Sequence, residues 1–239
     1  MNMNEHDFRG LTADQQLAMS EAFPVLMRKV YVWMTLALVI TGFTAYGVAN
    51  SPGVLQTIYS NQILFWCLII AEFALVFGVS AAINRLSLTT ATLMFILYSV
   101  INGALLSSVF MIYTASSITT VFFITAGTFG AMALLGYTTK TDLSSMGKIL
   151  FMALIGLVIA TIVNMFIKSS GFTLILSYVG VLIFVGLTAW DSQKIKQMLL
   201  QAPDAGEGAQ KIALLGALTL YLDFINLFIY LLRIFGRRE

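Results

Sequence analysis

Four ionisable residues stand in or beside long apolar stretches, and they are the groups with which this chain can do chemistry: Glu72, Arg85, Asp191 and Asp223. An ionisable side chain inside a membrane span costs about 2.5–3.5 kcal/mol on insertion scales, which makes each one a functional candidate. Asp223 sits mid-way along Leu218-Thr219-Leu220-Tyr221-Leu222-Asp223-Phe224-Ile225-Asn226-Leu227-Phe228. At 1.5 Å per residue it lies roughly 15–18 Å from either end of its segment, close to a bilayer midplane. A bare carboxylate cannot face lipid there, so it faces other helices. It does so either as part of a polar pathway or as a protonated acid hydrogen-bonded to a neighbour.

Asp191 ends the preceding apolar segment, in Thr188-Ala189-Trp190-Asp191-Ser192-Gln193-Lys194-Ile195-Lys196. Lys194, three positions on, shares its helix face, and a plain surface ion pair is one reading. The other follows from Asp223, because consecutive membrane helices are usually neighbours. Two carboxyls brought together in low dielectric share one proton and act as a pair that can switch near neutral pH.

Arg85 follows the second apolar segment in Ala81-Ala82-Ile83-Asn84-Arg85-Leu86. It reads either as an ordinary basic flank or as a guanidinium that reaches back to a carboxylate. Glu72, midway through the same segment, either adds oxygen to a polar pathway, snorkels, or makes a local hydrogen bond. His6 lies in the polar leader, so imidazole chemistry inside the membrane is excluded. Cys67 reads as a small packed hydrophobe, and a single cysteine rules out an intrachain disulfide.

The elements that must position these residues are spanning helices. Hydrophobic residues make up 59% of the 239 and charged ones only 10%, whereas a soluble domain carries about 25% charged residues. With a mean hydropathy of +0.91, lipid has to cover much of the surface. Apolar stretches fall at about 29–50, 62–83, 88–112, 117–139, 148–168, 172–190 and 211–233, each near the ~20 residues a span needs. They lack strict alternation and satisfy their backbones internally, as helices and not barrel strands.

Residues 1–24 form a polar tail, expected to be mobile and without the basic start of a signal peptide. Residues 25–239 read as a single seven-helix transmembrane domain. Asn50-Ser51-Pro52-Gly53 ends the first segment, and residues 192–210 read as a flexible polar loop. Gly103, Ala104, Ser107, Gly127, Gly130 and Ala131 suggest close helix packing. The net charge of +2 gives no reason to expect nucleic acid as a partner.

Alternating spans place Arg9, Arg28, Lys29, Arg85, Lys140, Lys148, Lys194, Lys196 and Lys211 on one side. That side is expected to be cytoplasmic, together with the N-terminus. Lys168 and the C-terminal Arg233, Arg237 and Arg238 fall on the other side, the basic C-terminus against the charge rule. Either the last segment crosses fully regardless, as its length favours, or it is re-entrant.

The run Leu220-Tyr221-Leu222-Asp223-Phe224-Ile225-Asn226-Leu227-Phe228, followed by Leu231-Leu232-Arg233, resembles the last-helix signature of the Bax inhibitor-1 (transmembrane Bax inhibitor motif) family. Asp191-Ser192-Gln193-Lys194-Ile195-Lys196 resembles its sixth-helix ending, and Lys140-Thr141-Asp142-Leu143-Ser144 the loop after its fourth helix. The likeness runs from about Val25 to Gly236 and is nearest to bacterial members, which favours an inner membrane. It implies an all-α integral membrane protein of seven transmembrane helices, the last one central and surrounded by the other six. It further implies a pH-sensitive calcium leak controlled by an aspartate pair, here Asp191 and Asp223, with Arg85 as the latch on the sixth-helix aspartate. Animal members are linked to suppression of cell death, through partners a bacterial protein would lack.

In that reading calcium is the transported ion, held weakly and transiently by Asp191 and Asp223, with Glu72 as a further candidate along the pathway. A hard cation takes about six to eight oxygens, and a site that conducts has to release as readily as it binds. No cofactor is expected; the partners are the lipid bilayer, calcium ions and protons. A second class of function is a non-transporting regulator that binds other membrane proteins, such as a stress or protease modulator. A third, an aspartyl intramembrane protease, would use the pair to activate water, but Gly-x-Gly-Asp occurs at neither aspartate, and no enzymatic activity is expected.

Overall fold

Runs of Leu, Ile, Val, Phe and Ala uninterrupted by turn residues become helices because a segment in lipid has to satisfy its own backbone. The computed structural model describes residues 12–237, without the side chains of 13–18. Its helices are α1 (Ala13–Ala49), α2 (Pro52–Ser60), α3 (Gln62–Ala82), α4 (Leu88–Leu106), α5 (Val109–Ile112), α6 (Ala115–Thr138), α7 (Ser144–Ile167), α8 (Ser170–Leu200) and α9 (Glu207–Phe235). No strand occurs among the described residues. Seven helical spans are long and apolar enough to cross a membrane, α4 and α5 together forming one of them.

The spans differ in how much of themselves they hide. In the most apolar window of α9, 67% of residues are buried, against 6% in α3 and in α7. The last helix is therefore an interior element and the outer ones are lipid-facing, with Phe43, Ile63, Phe166 and Leu182 all more than two-thirds exposed. Cys67 is exposed on α3, which corrects its reading as a packed hydrophobe.

Packing divides the chain into two units. The first comprises the chain up to Ile112 with Gln197–Tyr221, and the second comprises Tyr113–Lys196 with the chain from Leu222 onward. In the first, α1 begins well inside the segment expected to be a polar tail. Met19, Phe23, Leu26, Met27, Val30 and Met34 are all buried, and their spacing of three and four puts them on one helix face. That face holds the helix through Pro24. The first eleven residues, with His6 and Arg9, lie outside the described set.

α2, unforeseen, starts on Pro52, whose fixed φ suits the first helical turn. Its Tyr59 hydroxyl donates to the Leu105 carbonyl at 2.8 Å and accepts from the Ser108 N–H at 3.2 Å. It thereby serves backbone groups at the break between α4 and α5. Asn61 and Ser87 cap α3 and α4 with side-chain oxygens on the first-turn N–H groups.

In the second unit α8 runs ten residues beyond its apolar core, to Leu200. The predicted loop of 192–210 shrinks to 201–206. The reason is again spacing: Ser192, Ile195, Leu199 and Leu200 are buried, continuing a helical face after hydropathy has fallen. α9 is unbroken over 29 residues, about 43 Å of helix, longer than the ~30 Å hydrocarbon core. A re-entrant segment would need a turn, and none interrupts it. Its end is tied back where the Thr114 N–H donates to the Arg237 carbonyl at 3.1 Å and the Arg237 N–H to Ser117 Oγ at 2.9 Å.

Close helix packing is concentrated at glycines other than most of those expected. A Cβ on Gly136 would stand 2.0 Å from the Ala189 carbonyl oxygen, and one on Gly147 would stand 2.2 Å from the Trp190 ring. Of the expected set Gly103 packs this way, against Thr41, whereas Gly127 and Gly130 face open space.

Candidate functional site

α8 carries Asp191 in its interior and not at its end, because the helix continues past it. The residues around it are pinned to the hairpin of α6 and α7. Ala189 lies on Gly136 and the Trp190 ring on Gly147. Ser192 Oγ donates to the Ala133 carbonyl at 2.8 Å. Gln193 clamps the intervening loop at both ends of its amide: its Oε1 accepts from the Leu143 N–H and its Nε2 donates to the Thr141 carbonyl, each at 2.8 Å. Lys196 Nζ reaches the Tyr137 carbonyl at 3.2 Å. In the same loop the Ser144 hydroxyl and the Ser144 N–H, the latter at 2.9 Å, hold the Asp142 carboxyl below the usual carboxylate range.

Asp191 is only 7% exposed, and Asp223 on α9 only 4%. The two carboxyls are hydrogen-bonded to each other. A hydrogen bond between two carboxyls needs a proton on one of them. Asp223 Oδ2 is buried without a hydrogen-bond partner, an expensive condition for a carboxyl oxygen. Phe224, beside it on α9, packs edge-on against Phe122 and Phe129 of α6, so the surroundings of this helix turn are apolar.

The surface ion pair of Asp191 with Lys194 does not form. Lys194 Nζ lies 4.8 Å from the centre of the Trp190 ring instead, and the ion pair recorded among the described residues is Glu207 with Lys211, at 3.0 Å. Its charge still acts on Asp191 from a distance. Among the described residues no cluster of three or more His, Cys, Asp or Glu side chains gathers. The pair therefore offers a cation two carboxyls and needs its remaining oxygens from water or backbone.

The first unit holds a separate polar group. Glu72 of α3, half-buried, accepts from Asn102 Nδ2 of α4 and is hydrogen-bonded to the Tyr98 hydroxyl. The Tyr221 hydroxyl of α9 reaches Asn102 Oδ1 at 3.1 Å and Thr41 Oγ1 of α1 at 2.6 Å. Thr41 Oγ1 also reaches the Ser99 carbonyl at 3.0 Å. Glu72 is thus hydrogen-bonded, to a side chain of another helix and not locally. Arg85 stands exposed on the turn after α3, its N–H donating to the Ala82 carbonyl at 2.8 Å.

Sequence reasoning picked out the charged members of both groups and passed over the neutral ones. Thr41, Tyr98, Asn102, Tyr221 and Gln193 carry no charge, and Thr, Tyr and Asn are common in spans. The one signal available was Asn102, an amide deep inside an apolar stretch.

A family described as "Inhibitor of apoptosis-promoting Bax1" matches residues 24–239. The chain is 52% identical over 214 residues to the Inner membrane protein YbhL of Escherichia coli (strain K12), covering 89% of this chain and 92% of that protein. It is 47% identical over 213 residues to an uncharacterized protein of Borreliella burgdorferi, covering 89% and 92%. It is 43% identical over 233 residues to the uncharacterized protein RP147 of Rickettsia prowazekii, covering 95% and 96%. With the match running through both aspartates and nearly the whole length, the chain belongs to the Bax inhibitor-1 family.

Proposed function

We propose that the protein is a pH-sensitive calcium leak channel, gated by the pair Asp191 and Asp223 and housed in a bacterial inner membrane, as the name of its Escherichia coli relative suggests. The observation that carries this reading is the carboxyl–carboxyl hydrogen bond between two buried aspartates on α8 and α9. While one proton is shared, the pair has a single negative charge and holds α8 to α9. Losing that proton leaves two like charges in contact in a water-poor setting, where their repulsion is weakly screened. The pair then separates, which leaves the ionised Asp191 to a cationic side chain. While the proton is shared, the single charge attracts calcium, a hard divalent ion that takes oxygen ligands.

Arg85 is the latch in this proposal. A fully ionised Asp191 gives a guanidinium a partner to hold, and a protonated one releases it. Flux is accordingly expected in the singly protonated state and to fall as pH rises through the titration of the pair. Few ligands make the site weak, which suits passage. No catalysis is assigned to the aspartates.

The test is calcium entry into dye-loaded proteoliposomes across a pH series. Wild type should pass calcium with a pH-dependent rate, and Asp191→Asn should lose the pH dependence. Absence of calcium passage, or a response to pH identical in wild type, Asp191→Asn and Asp223→Asn, would overturn the proposal.

A further inference from the structure

The polar group of the first unit poses a problem of proton counting. Four contacts run in series: Glu72 to Asn102, Asn102 to Tyr221, Tyr221 to Thr41, and Thr41 to the Ser99 carbonyl. Each contact needs one hydrogen between its two heavy atoms, and the Ser99 carbonyl can only accept. With Glu72 ionised, the chain has three hydrogens to place: one from the Asn102 amide, one from Tyr221 and one from Thr41. Asn102 gives its hydrogen to the carboxylate, Tyr221 gives its own to Asn102 Oδ1, and Thr41 serves either Tyr221 or Ser99. One contact of the four is left with facing lone pairs.

A fourth hydrogen resolves this. If Glu72 is protonated, its O–H donates to the Asn102 oxygen. Half a turn of that amide exchanges its donor and acceptor ends, which are nearly equal in size. Asn102 then donates to Tyr221, Tyr221 to Thr41, and Thr41 to Ser99, so all four contacts are made and the two links between Glu72 and Tyr221 point the opposite way. Tyr98 stands beside both Glu72 and Asn102 and can donate to the carboxyl in either state. Asn102, Ser99, Thr41 and Tyr221 are all under 9% exposed, so water does not readily substitute for a missing link.

We propose that Glu72 is a second proton-binding site, whose protonation completes a hydrogen-bond chain joining α3, α4, α9 and α1 and reverses two of its links. The titratable groups facing Glu72 are the phenols of Tyr98 on α4 and Tyr221 on α9, and α1 contributes Thr41, which does not titrate. Protonation on α3 thereby tightens four helices of the first unit at once. The inference holds whether or not the protein passes calcium.

Infrared difference spectroscopy of the lipid-reconstituted protein across a pH series tests this without any flux measurement. A protonated-carboxyl stretch should titrate in the Asp191→Asn, Asp223→Asn double variant, and be missing when Glu72→Gln is added to it. Tyr221→Phe and Thr41→Val each remove one hydroxyl from the chain. Each should lower the acid-to-carboxylate ratio at Glu72 about fivefold at fixed pH, the worth of roughly one net hydrogen bond. A Glu72 carboxyl ionised at every pH where the protein stays folded would overturn the proposal. So would an acid band that neither variant moves.

Discussion

Asp223 meets Asp191, and its Oδ2 is buried with no hydrogen-bond donor on it. A carboxyl in a purely structural role would have its buried oxygens satisfied. Asp223→Asn, which keeps the shape but replaces a carboxyl oxygen with an amide, should reduce calcium flux at least severalfold. Asp191→Asn should retain flux and flatten its pH profile, since it removes the charge that Arg85 would hold. Arg85→Ala should flatten the high-pH side in the same way, read in the same liposome assay. Glu72 belongs to other chemistry. Tyr221 and Asp223 are two positions apart on α9, and residues so spaced do not face one another.

At the scale of elements, the stretch of α8 around Asp191 is placed by the α6–α7 hairpin and not by its own hydropathy. Gly136→Val should clash with the Ala189 carbonyl and destabilise by about 1–3 kcal/mol, the usual cost of overpacking. Gly127→Val, facing open space, should stay within about 0.5 kcal/mol. Thermal unfolding in detergent compares the two. Gln193→Leu loses both clamping bonds to the 141–143 loop, worth roughly 0.5–1.5 kcal/mol each. Hydrogen exchange at the Leu143 amide should therefore accelerate, while Gln193→Glu, which keeps the acceptor, should protect that amide largely as wild type does. Equal exchange in all three proteins would show that the clamp contributes nothing.

For the whole molecule, an odd number of crossings puts the two ends of the chain on opposite faces of the membrane. In a Cys67→Ser background, a single cysteine at Ser60 should react with an impermeant maleimide from outside intact cells, and one at Ser145 only after permeabilisation. Both positions are exposed. The reverse pattern would overturn the orientation expected from the basic residues. The unbroken α9 carries Arg233 to its far end, where the guanidinium lies over the Tyr230 ring at 5.4 Å. This stacking gives a cation on the less basic side a local partner.

Much of this architecture was legible in the residues alone, because lipid imposes one strong rule: a segment without water must be helical and about 20 residues long. Hydropathy therefore located all seven spans, and the expense of burying charge singled out Asp191, Asp223 and Glu72. Hydropathy was blind where polarity and burial part company. The helical run of α8 past Asp191 and the start of α1 before Pro24 are held by faces of residues spaced three and four apart, which a window average erases. Which side chains meet was decided only by tertiary structure. The bond between Asp191 and Asp223, the clamp of Gln193 and the chain from Glu72 to Ser99 join positions 32, 50 and 27 residues apart. No local pattern encodes such a pairing. It exists because glycines at 103, 136 and 147 let helices approach closely, and because buried polar atoms take whatever partners that approach brings within reach.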